Sequence, residues 1–404
     1  MPTITKLRRI YHEYPAQFWL LLAASFVDGL GGALLFPFFT LYVTARFHVG
    51  MTTVGLIFGI FSISAILGSI VGGALSDRFG RKHMIIFGLV VSALITLLMG
   101  FATDIRMFFV AALLVGLFAN VGDPARQAMV ADLLTPEQRA DGYGLMRVVM
   151  NLAITIGPAV GGFMASHSYF LLFIADAIAS TITAIIVFIF IKESLPSSGN
   201  DEGPEQVSQT FVGYLDVLKD RVFLVFIMAS ILSIFVYMQM NTTLPVYLRD
   251  VHRIPLQHYG WLISMNALLV VLFQFFVTRK TRYFRPLHVI VVGELLYAIG
   301  FGMYGVVGSY VLFVLAMIII TVGEMLIAPV SQSVVSLLAP EEMRGRYMAV
   351  YGFSWAIPSA VGPFLAGMIM DYGDPRGVWY AAFVLALTAA GIFLWLSSRT
   401  NKLD

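Results

Sequence analysis

The stretch GALSDRFGRK, residues 73–82, places a short, strongly charged turn between two long apolar segments. The apolar segments cover residues 52–75 and 83–103, and a helix needs roughly 20 apolar residues to cross a bilayer. Glycines at both ends of the charged stretch allow a tight turn. The stretch therefore predicts a loop that joins two membrane-spanning helices. Its key residues are Gly73, Asp77, Arg78, Gly80, Arg81 and Lys82.

Apolar segments of this kind recur along the chain from about residue 16 to residue 396. Of the 404 residues, 59% are hydrophobic and 12% are charged, whereas a soluble domain carries about 25% charged residues. The segments do not alternate in polarity, so they predict an all-α membrane protein and not a barrel. The twelve predicted spans are 16–44, 52–75, 83–103, 106–131, 142–166, 169–191, 221–248, 257–278, 287–307, 309–336, 346–370 and 377–397.

The composition argues against several functional classes. The net charge of +2 gives no indication of nucleic-acid binding, and the absence of Cys excludes disulfides and thiolate metal sites. The sequence also contains no phosphate-binding loop, no metal-ligand cluster and no hydrolase triad. We therefore expect no enzyme activity, no cofactor and no metal.

The basic residues predict the orientation of the chain, because cytoplasmic loops of membrane proteins are enriched in Lys and Arg. If both termini are cytoplasmic, most of the 25 Lys and Arg residues fall on the inside. We therefore predict a multi-pass protein of the cell inner membrane with both termini in the cytoplasm. The basic residues expected outside are Arg46, Arg106, Arg249, Arg253 and Arg376.

The sequence also predicts two related halves. Residues 192–209 are rich in Pro, Gly, Ser and acidic residues, which is typical of a flexible linker. Around it, IGPAVGG in the first half matches VGPFLAG in the second, and TPEQR matches APEEM. We predict a six-helix bundle over 1–192, a cytoplasmic linker over 193–212 and a second bundle over 213–404. Parallel repeats of this kind place the substrate site between two bundles.

The charged loop closely resembles the signature loop of the major facilitator superfamily, and with twelve spans and a six-helix repeat the resemblance covers essentially the whole chain. It implies the major facilitator fold and transport by alternating access. It also implies a latch in which Asp77 docks against the start of the eleventh helix and against Asp132 at the end of the fourth. A helix N-terminus favours such an anion. The equivalent TRKTRYFRP in the second half has no acid, so a single latch is expected.

The fifth span contains Gly157, Pro158, Gly161 and Gly162. This pattern resembles the antiporter motif of the twelve-helix drug:proton antiporters, and it is also common as a packing motif in membrane helices. Two departures matter. Ala153 replaces the motif's leading Gly, and Ala112 stands where those exchangers carry an Arg in the fourth helix. The family's usual proton-relay role therefore does not transfer to that position.

Ionisable residues inside the spans are candidates for proton coupling, because charges there are costly and usually functional. Asp28 and Glu324 are near mid-span with no basic residue nearby on their own helices. Asp123 precedes Arg126 by three residues, so the two can pair on one helix face. For each acid, a static buried pair is the alternative, and for Asp28 the rival partners are Arg126 and Arg147. The coupling candidates are Asp28, Glu324, Asp123 and Glu294.

Other polar and aromatic side chains at depth suit a substrate cavity or interhelical hydrogen bonds equally well. Met and Tyr side chains can additionally form an adaptable apolar pocket. The cavity candidates are Arg126, Arg147, Asn151, Tyr237, Gln239, Asn241, Asn266 and Tyr297.

These features favour proton-coupled export of small lipophilic compounds, that is, multidrug efflux by secondary active antiport. The alternative is a major facilitator importer or exporter of a specific metabolite. A membrane sensor or scaffold is a further alternative, which predicts an appended soluble domain. The expected partners are a small-molecule substrate, protons and the lipid bilayer, with no nucleic acid, and we expect a monomer.

Overall fold

The structure is a computed structural model that describes residues 13–194, 217–340 and 343–399. Twelve helices in these ranges are long and apolar enough to cross a membrane, which confirms the prediction of twelve transmembrane helices. The first six are α1 (Ala16–Phe47), α2 (Met51–Phe79), α3 (Arg81–Phe101), α4 (Ile105–Leu133), α5 (Pro136–His167) and α6 (Phe170–Phe190). The others are α7 (Arg221–Thr242), α8 (Leu256–Thr281), α9 (Pro286–Tyr304), α10 (Tyr310–Leu338), α11 (Arg344–Tyr372) and α12 (Gly377–Arg399).

Irregular turns interrupt the first and the fourth helix. A 3₁₀ turn at Phe36–Phe38 interrupts α1 around Pro37, which cannot donate a backbone hydrogen bond. A π turn at Val115–Ala119 interrupts α4. The helix α5 continues through Pro158 without a break.

The seventh helix is shorter than the sequence predicted. The predicted span 221–248 divides into α7, which ends at Thr242, and a short helix over Leu244–Asp250. Pro245 lies in the first turn of the short helix, where its missing N–H is tolerated. The Tyr247 hydroxyl donates a hydrogen bond of 3.0 Å to the carbonyl of Tyr304. Because the helix ends at Thr242 and a separate helix follows, the continuous span 221–248 was a wrong prediction.

The described residues fall into two compact units. The first unit takes in the described parts of Met1–Tyr42 and Ile60–Gly199, together with Leu256–Ala267. Within it, α1 packs on α5 and α6, while α3 packs on α6 and α4. A core of apolar side chains fills the space between these helices, and burial of such surface in close contact stabilises the unit. Its members include Phe18, Leu89, Met129 and Val187.

The second unit comprises Val43–Gly59, Leu268–Asp404 and Asn200–Pro255 where described. Within it, α9 packs most closely on α10 and α12, and α7 packs on α11 and α12. Its core includes Phe223, Phe226, Tyr347 and Phe393.

The second helix of each repeat begins in the unit of the other repeat. The start of α2 belongs to the second unit and packs on α11, where Gly55 has no room for a Cβ atom against the backbone of Phe364. The start of α8 belongs to the first unit and packs on α5, where Gly260 has no room for a Cβ atom against the carbonyl of Pro158. The two related Gly-Pro sequences therefore play matching packing roles.

One acid at the end of α11 caps the start of α2. The Asp371 carboxylate accepts hydrogen bonds from the backbone N–H groups of Met51 at 2.9 Å and Thr52 at 2.8 Å. These N–H groups have no partner within their own helix, and the positive end of the helix dipole favours an anion there. The preceding Gly50 packs against this carboxylate with no space for a side chain.

We expect Asp371→Ala to lower the free energy of unfolding by about 1–2 kcal/mol, because two N–H groups lose their acceptor. The matched control is Asp374→Ala, since Asp374 accepts one comparable hydrogen bond of 2.9 Å from the Arg376 N–H. Thermal unfolding in detergent measures both, and the Asp371 variant should melt at the lower temperature. Equal melting temperatures for the two variants would contradict the long-range cap.

Candidate functional site

The first unit contains an ion pair inside its spanning helices. Arg126 of α4 donates from Nη2 to Asp28 Oδ2 of α1 at 2.8 Å, and the two side chains are only 16% and 22% exposed. The Ser180 hydroxyl of α6 donates to the other Asp28 oxygen at 3.4 Å. The pairing of Arg126 with Asp123 that the sequence suggested is not formed. Asp123 is exposed on α4, and the guanidinium reaches across to α1 instead.

The break in α4 leads directly into the turn that carries Arg126. A π turn leaves backbone carbonyls without regular partners, and Asn120 donates its side-chain amide to the carbonyls of Val115 at 3.4 Å and Gly116 at 3.2 Å. Gly68 and Gly72 of α2 pack against the α4 backbone beside this turn without space for a Cβ atom. Turns of this kind are frequent at functional sites, and this one fixes where the last part of α4 begins.

A second acid lies close to the same ion pair. Asp176 of α6 is 8% exposed, and a Cβ atom at Gly31 would lie 2.9 Å from its Oδ1. A Cβ atom at Gly29 would lie 2.9 Å from the Met150 sulfur. The glycines around Asp28 therefore serve the packing of α1 against α5 and α6. Gly32 differs from these two glycines, because no atom lies within 4 Å of its Cβ position.

The second unit holds an acid among aromatic rings. The Tyr237 hydroxyl of α7 donates to Glu324 Oε1 of α10 at 3.1 Å. The Tyr237 ring stacks on Tyr297 with centroids 6.4 Å apart, and it meets Trp355 edge-on at 5.8 Å. Trp355 is exposed, Glu324 and Tyr237 are half-buried, and Tyr297 is buried. A carboxylate beside open aromatic faces suits a ligand that is apolar or positively charged.

Glu294 of α9 lies deeper in the same unit. Its side chain is 0% exposed, and neither carboxylate oxygen has a hydrogen-bond partner of normal geometry. Glu294 lies near the middle of α9, on the face that is buried within the unit.

The remaining cavity candidates differ in their surroundings. Gln239 is buried and bonded within its own segment: it donates to the Phe235 carbonyl at 2.9 Å and accepts from Thr243 at 2.6 Å. Gln239 therefore stabilises the end of α7. Asn266 is buried, Asn151 and Asn241 are half-buried, and Arg147 is exposed.

The charged loop is built around Gly80, whose φ of +97° lies in the region that side chains other than glycine rarely adopt. After it, Arg81 Nε approaches Asp132 Oδ2 at 3.4 Å. Lys82 Nζ donates to the carbonyl of Phe188 at 2.7 Å. These contacts fasten the loop to α4 and α6. The Asp77 side chain lies outside the described structure, so docking of Asp77 stays a prediction.

Sequence reasoning missed Glu193 in this loop region. Its carboxylate accepts from the backbone N–H of Arg81 at 2.8 Å and of Lys82 at 3.2 Å, and it therefore caps the start of α3. His83 Nδ1 lies 3.4 Å from the same carboxylate. The sequence does place this acid directly after the sixth span, on the same side of the membrane as the start of α3. The N-terminus of a helix is the positive end of its dipole and favours an acid there.

The Gly-Pro motif of α5 lies at helix contacts. A Cβ atom at Gly157 would approach the Ala33 Cβ at 2.5 Å and the Ala33 carbonyl carbon at 2.7 Å. A Cβ atom at Gly161 would meet the Phe38 ring at 2.9 Å, and one at Gly162 would lie 3.1 Å from the Cα of Gln257 at the start of α8. The motif therefore brings α5 into backbone contact with α1 and α8.

The sequence profile of the Major Facilitator Superfamily matches residues 21–258 and 253–404, which is nearly the whole chain. The chain belongs to the Major Facilitator Superfamily. It is therefore a transporter and not an enzyme, and its twelve apolar helices make it a multi-pass membrane protein with the major facilitator fold.

Known proteins resemble this transporter along nearly their full length. It is 29% identical to the "Na(+), Li(+), K(+)/H(+) antiporter" of Planococcus maritimus, with 91% of this chain and 93% of the relative aligned. It is 27% identical to "Multidrug resistance protein 1" of Bacillus subtilis (strain 168), with 93% and 95% aligned. The crystal structure of a POT family transporter in complex with 5-aminolevulinic acid superposes with a TM-score of 0.80 at 15% identity, covering 96% of this chain and 97% of that one. The last comparison shows a shared fold.

Proposed function

We propose that this transporter exchanges protons for small lipophilic compounds and exports them from the cell by alternating access. The observation that carries the proposal is the ion pair between Asp28 and Arg126 inside the spanning part of the first unit. Protonation of Asp28 removes its charge and breaks the pair, so the proton and the conformation of α1 and α4 are linked. Intramembrane acids of this kind mark proton relays in transporters.

The aromatic site of the second unit, formed by Glu324, Tyr237, Tyr297 and Trp355, supports a lipophilic substrate. Tyr237 binds Glu324 through its hydroxyl and meets Trp355 edge-on, so the site combines aromatic surface with an acidic side chain. A lipophilic compound, neutral or cationic, gains from contact with these rings. The likeness to the multidrug resistance protein of Bacillus subtilis agrees with this substrate class.

A second candidate function is exchange of alkali cations for protons. The relative from Planococcus maritimus is named for that activity, and it aligns over 91% of this chain. In this case Glu324 and Asp28 would bind a metal cation or a proton in turn. We place the protein, on either function, in the inner membrane as a monomer with both termini cytoplasmic.

Transport in proteoliposomes separates these functions. With an imposed pH gradient, we expect uphill movement of lipophilic dyes and antibiotics, because proton movement down its gradient drives the exchange. Each 100 mV of membrane potential contributes about 2.3 kcal/mol per charge moved. Collapse of the gradient with an ionophore should abolish accumulation. Gradient-driven movement of Na⁺, Li⁺ or K⁺ with no dye transport would instead establish the second candidate.

A further inference from the structure

Glu294 is the most completely enclosed acid in the described structure. It lies on α9, where the neighbouring Gly293 packs so closely on α10 that a Cβ atom would approach Ile327 Cγ1 at 2.5 Å and the Gly323 carbonyl at 3.0 Å. This glycine contact closes the space between α9 and α10. With 0% exposure, the Glu294 carboxyl has no direct access to water.

The groups around Glu294 do not neutralise a negative charge. In the described part of the second unit, no basic side chain forms an ion pair with it, and its carboxylate oxygens are without hydrogen-bond partners of normal geometry. The side chain of Ser233 lies near the carboxyl from α7, and Tyr297 lies near it on α9. The buried face of α12 contributes no ionisable side chain, and α10 contributes Glu324, which carries the same charge.

A fully buried carboxylate without a cation beside it is strongly disfavoured, whereas the neutral acid is tolerated. We propose that Glu294 is a second proton-binding site, so that the transporter binds one proton in each unit. This inference rests on the proposed proton exchange and deepens it by assigning the proton site of the second unit to Glu294.

Tyr297 and Tyr237 connect this site to the aromatic site. Tyr297 follows Glu294 by one helical turn, lies near both Glu294 and Glu324, and stacks on Tyr237, whose hydroxyl donates to Glu324. Tyr297 therefore lies close to both acids, and Tyr237 is hydrogen-bonded to one of them.

Infrared spectroscopy of the purified protein in lipid at neutral pH tests the protonation state. The spectrum of the wild type minus that of Glu294→Gln should contain a C=O stretch of a protonated carboxylic acid, because Gln replaces the acid by an amide that cannot give this band. The control variant is Glu13→Gln, which changes an exposed acid outside the spans and should produce no such difference. Absence of the band from the Glu294 difference would overturn the proposal.

The number of protons exchanged per substrate tests the role in transport, and a purely structural role of Glu294 would leave it unchanged. We expect the ratio to fall by one in Glu294→Gln. An unchanged ratio would overturn the proposal even if the infrared band is present. If the wild type moves no protons at all, the proposed function fails, and the infrared result alone decides whether Glu294 binds a proton. Should Glu294→Gln fail to fold, Glu294→Asp must shift the band, and an unshifted band would count against the site.

Discussion

Replacement of Asp28 by Asn is expected to remove the proton carried by the first unit, and so to weaken proton-driven accumulation of substrate and to reduce the pH dependence of transport. Asn keeps the shape of the side chain but is neutral and cannot bind and release a proton, so Arg126 of α4 loses the negative charge that it reaches at 2.8 Å. At a membrane potential of 100 mV, loss of one coupled charge removes about 2.3 kcal/mol, which is more than about a tenfold bias of a two-state cycle. Counterflow of labelled substrate without a gradient, which needs no proton, should persist.

The double variant Asp28→Asn with Arg126→Gln distinguishes a proton carrier from a static pair. Removal of one member of a buried pair destabilises a protein by about 3–5 kcal/mol because the other charge is left unpaired, whereas removal of both relieves this penalty. We expect the double variant to recover thermal stability without recovering proton coupling. If uphill transport survives in Asp28→Asn with the wild-type pH profile, Asp28 is not the carrier, and Glu324 becomes the next candidate.

The fold could be predicted from the sequence because the bilayer imposes a simple rule. Long apolar segments without alternation must form helices, and twelve of them were visible between charged loops. The division of the seventh span at Thr243 was not predicted. Pro245 is tolerated both in the first turn of a new helix and near the end of a continuous span, so its presence alone does not distinguish the two. The structure shows the short helix, with the Tyr247 hydroxyl bonded to the Tyr304 carbonyl.

The members of the candidate site could be proposed from the sequence, which left the pairing of Asp28 with Arg126 open as one alternative. Asp28, Arg126, Glu324 and Glu294 stood out because charges are rare in spans. Sequence spacing favoured the pair of Asp123 and Arg126, but spacing on one helix cannot report which neighbouring helix lies opposite. The Arg126 guanidinium reaches Asp28 of α1, and it follows a π turn of α4 that no sequence pattern marked.

Gly157→Leu is expected to stop the transport cycle while substrate binding at equilibrium is largely retained. A Cβ atom at this position would already lie 2.7 Å from the backbone carbonyl carbon of Ala33, so α5 must move away from α1. Overpacking of this kind costs about 1–3 kcal/mol for small additions. Because Gly260 at the start of α8 also packs on the adjoining Pro158 carbonyl, the displaced helix loses its fit on that side as well.

The matched control for this substitution lies on the same helix. Gly144 is exposed and has no atom within 4 Å of its Cβ position, so Gly144→Leu should transport at nearly the wild-type rate. Gly157→Ala should fall between the two, since its single added carbon meets backbone atoms that cannot rotate away. Substrate affinity by ligand-induced fluorescence change and transport in proteoliposomes separate binding from cycling. Normal cycling with lost binding in Gly157→Leu would show that the motif contacts substrate. The structure argues against such a contact, because Gly157 packs on the backbone of Ala33 and leaves no space there for a ligand.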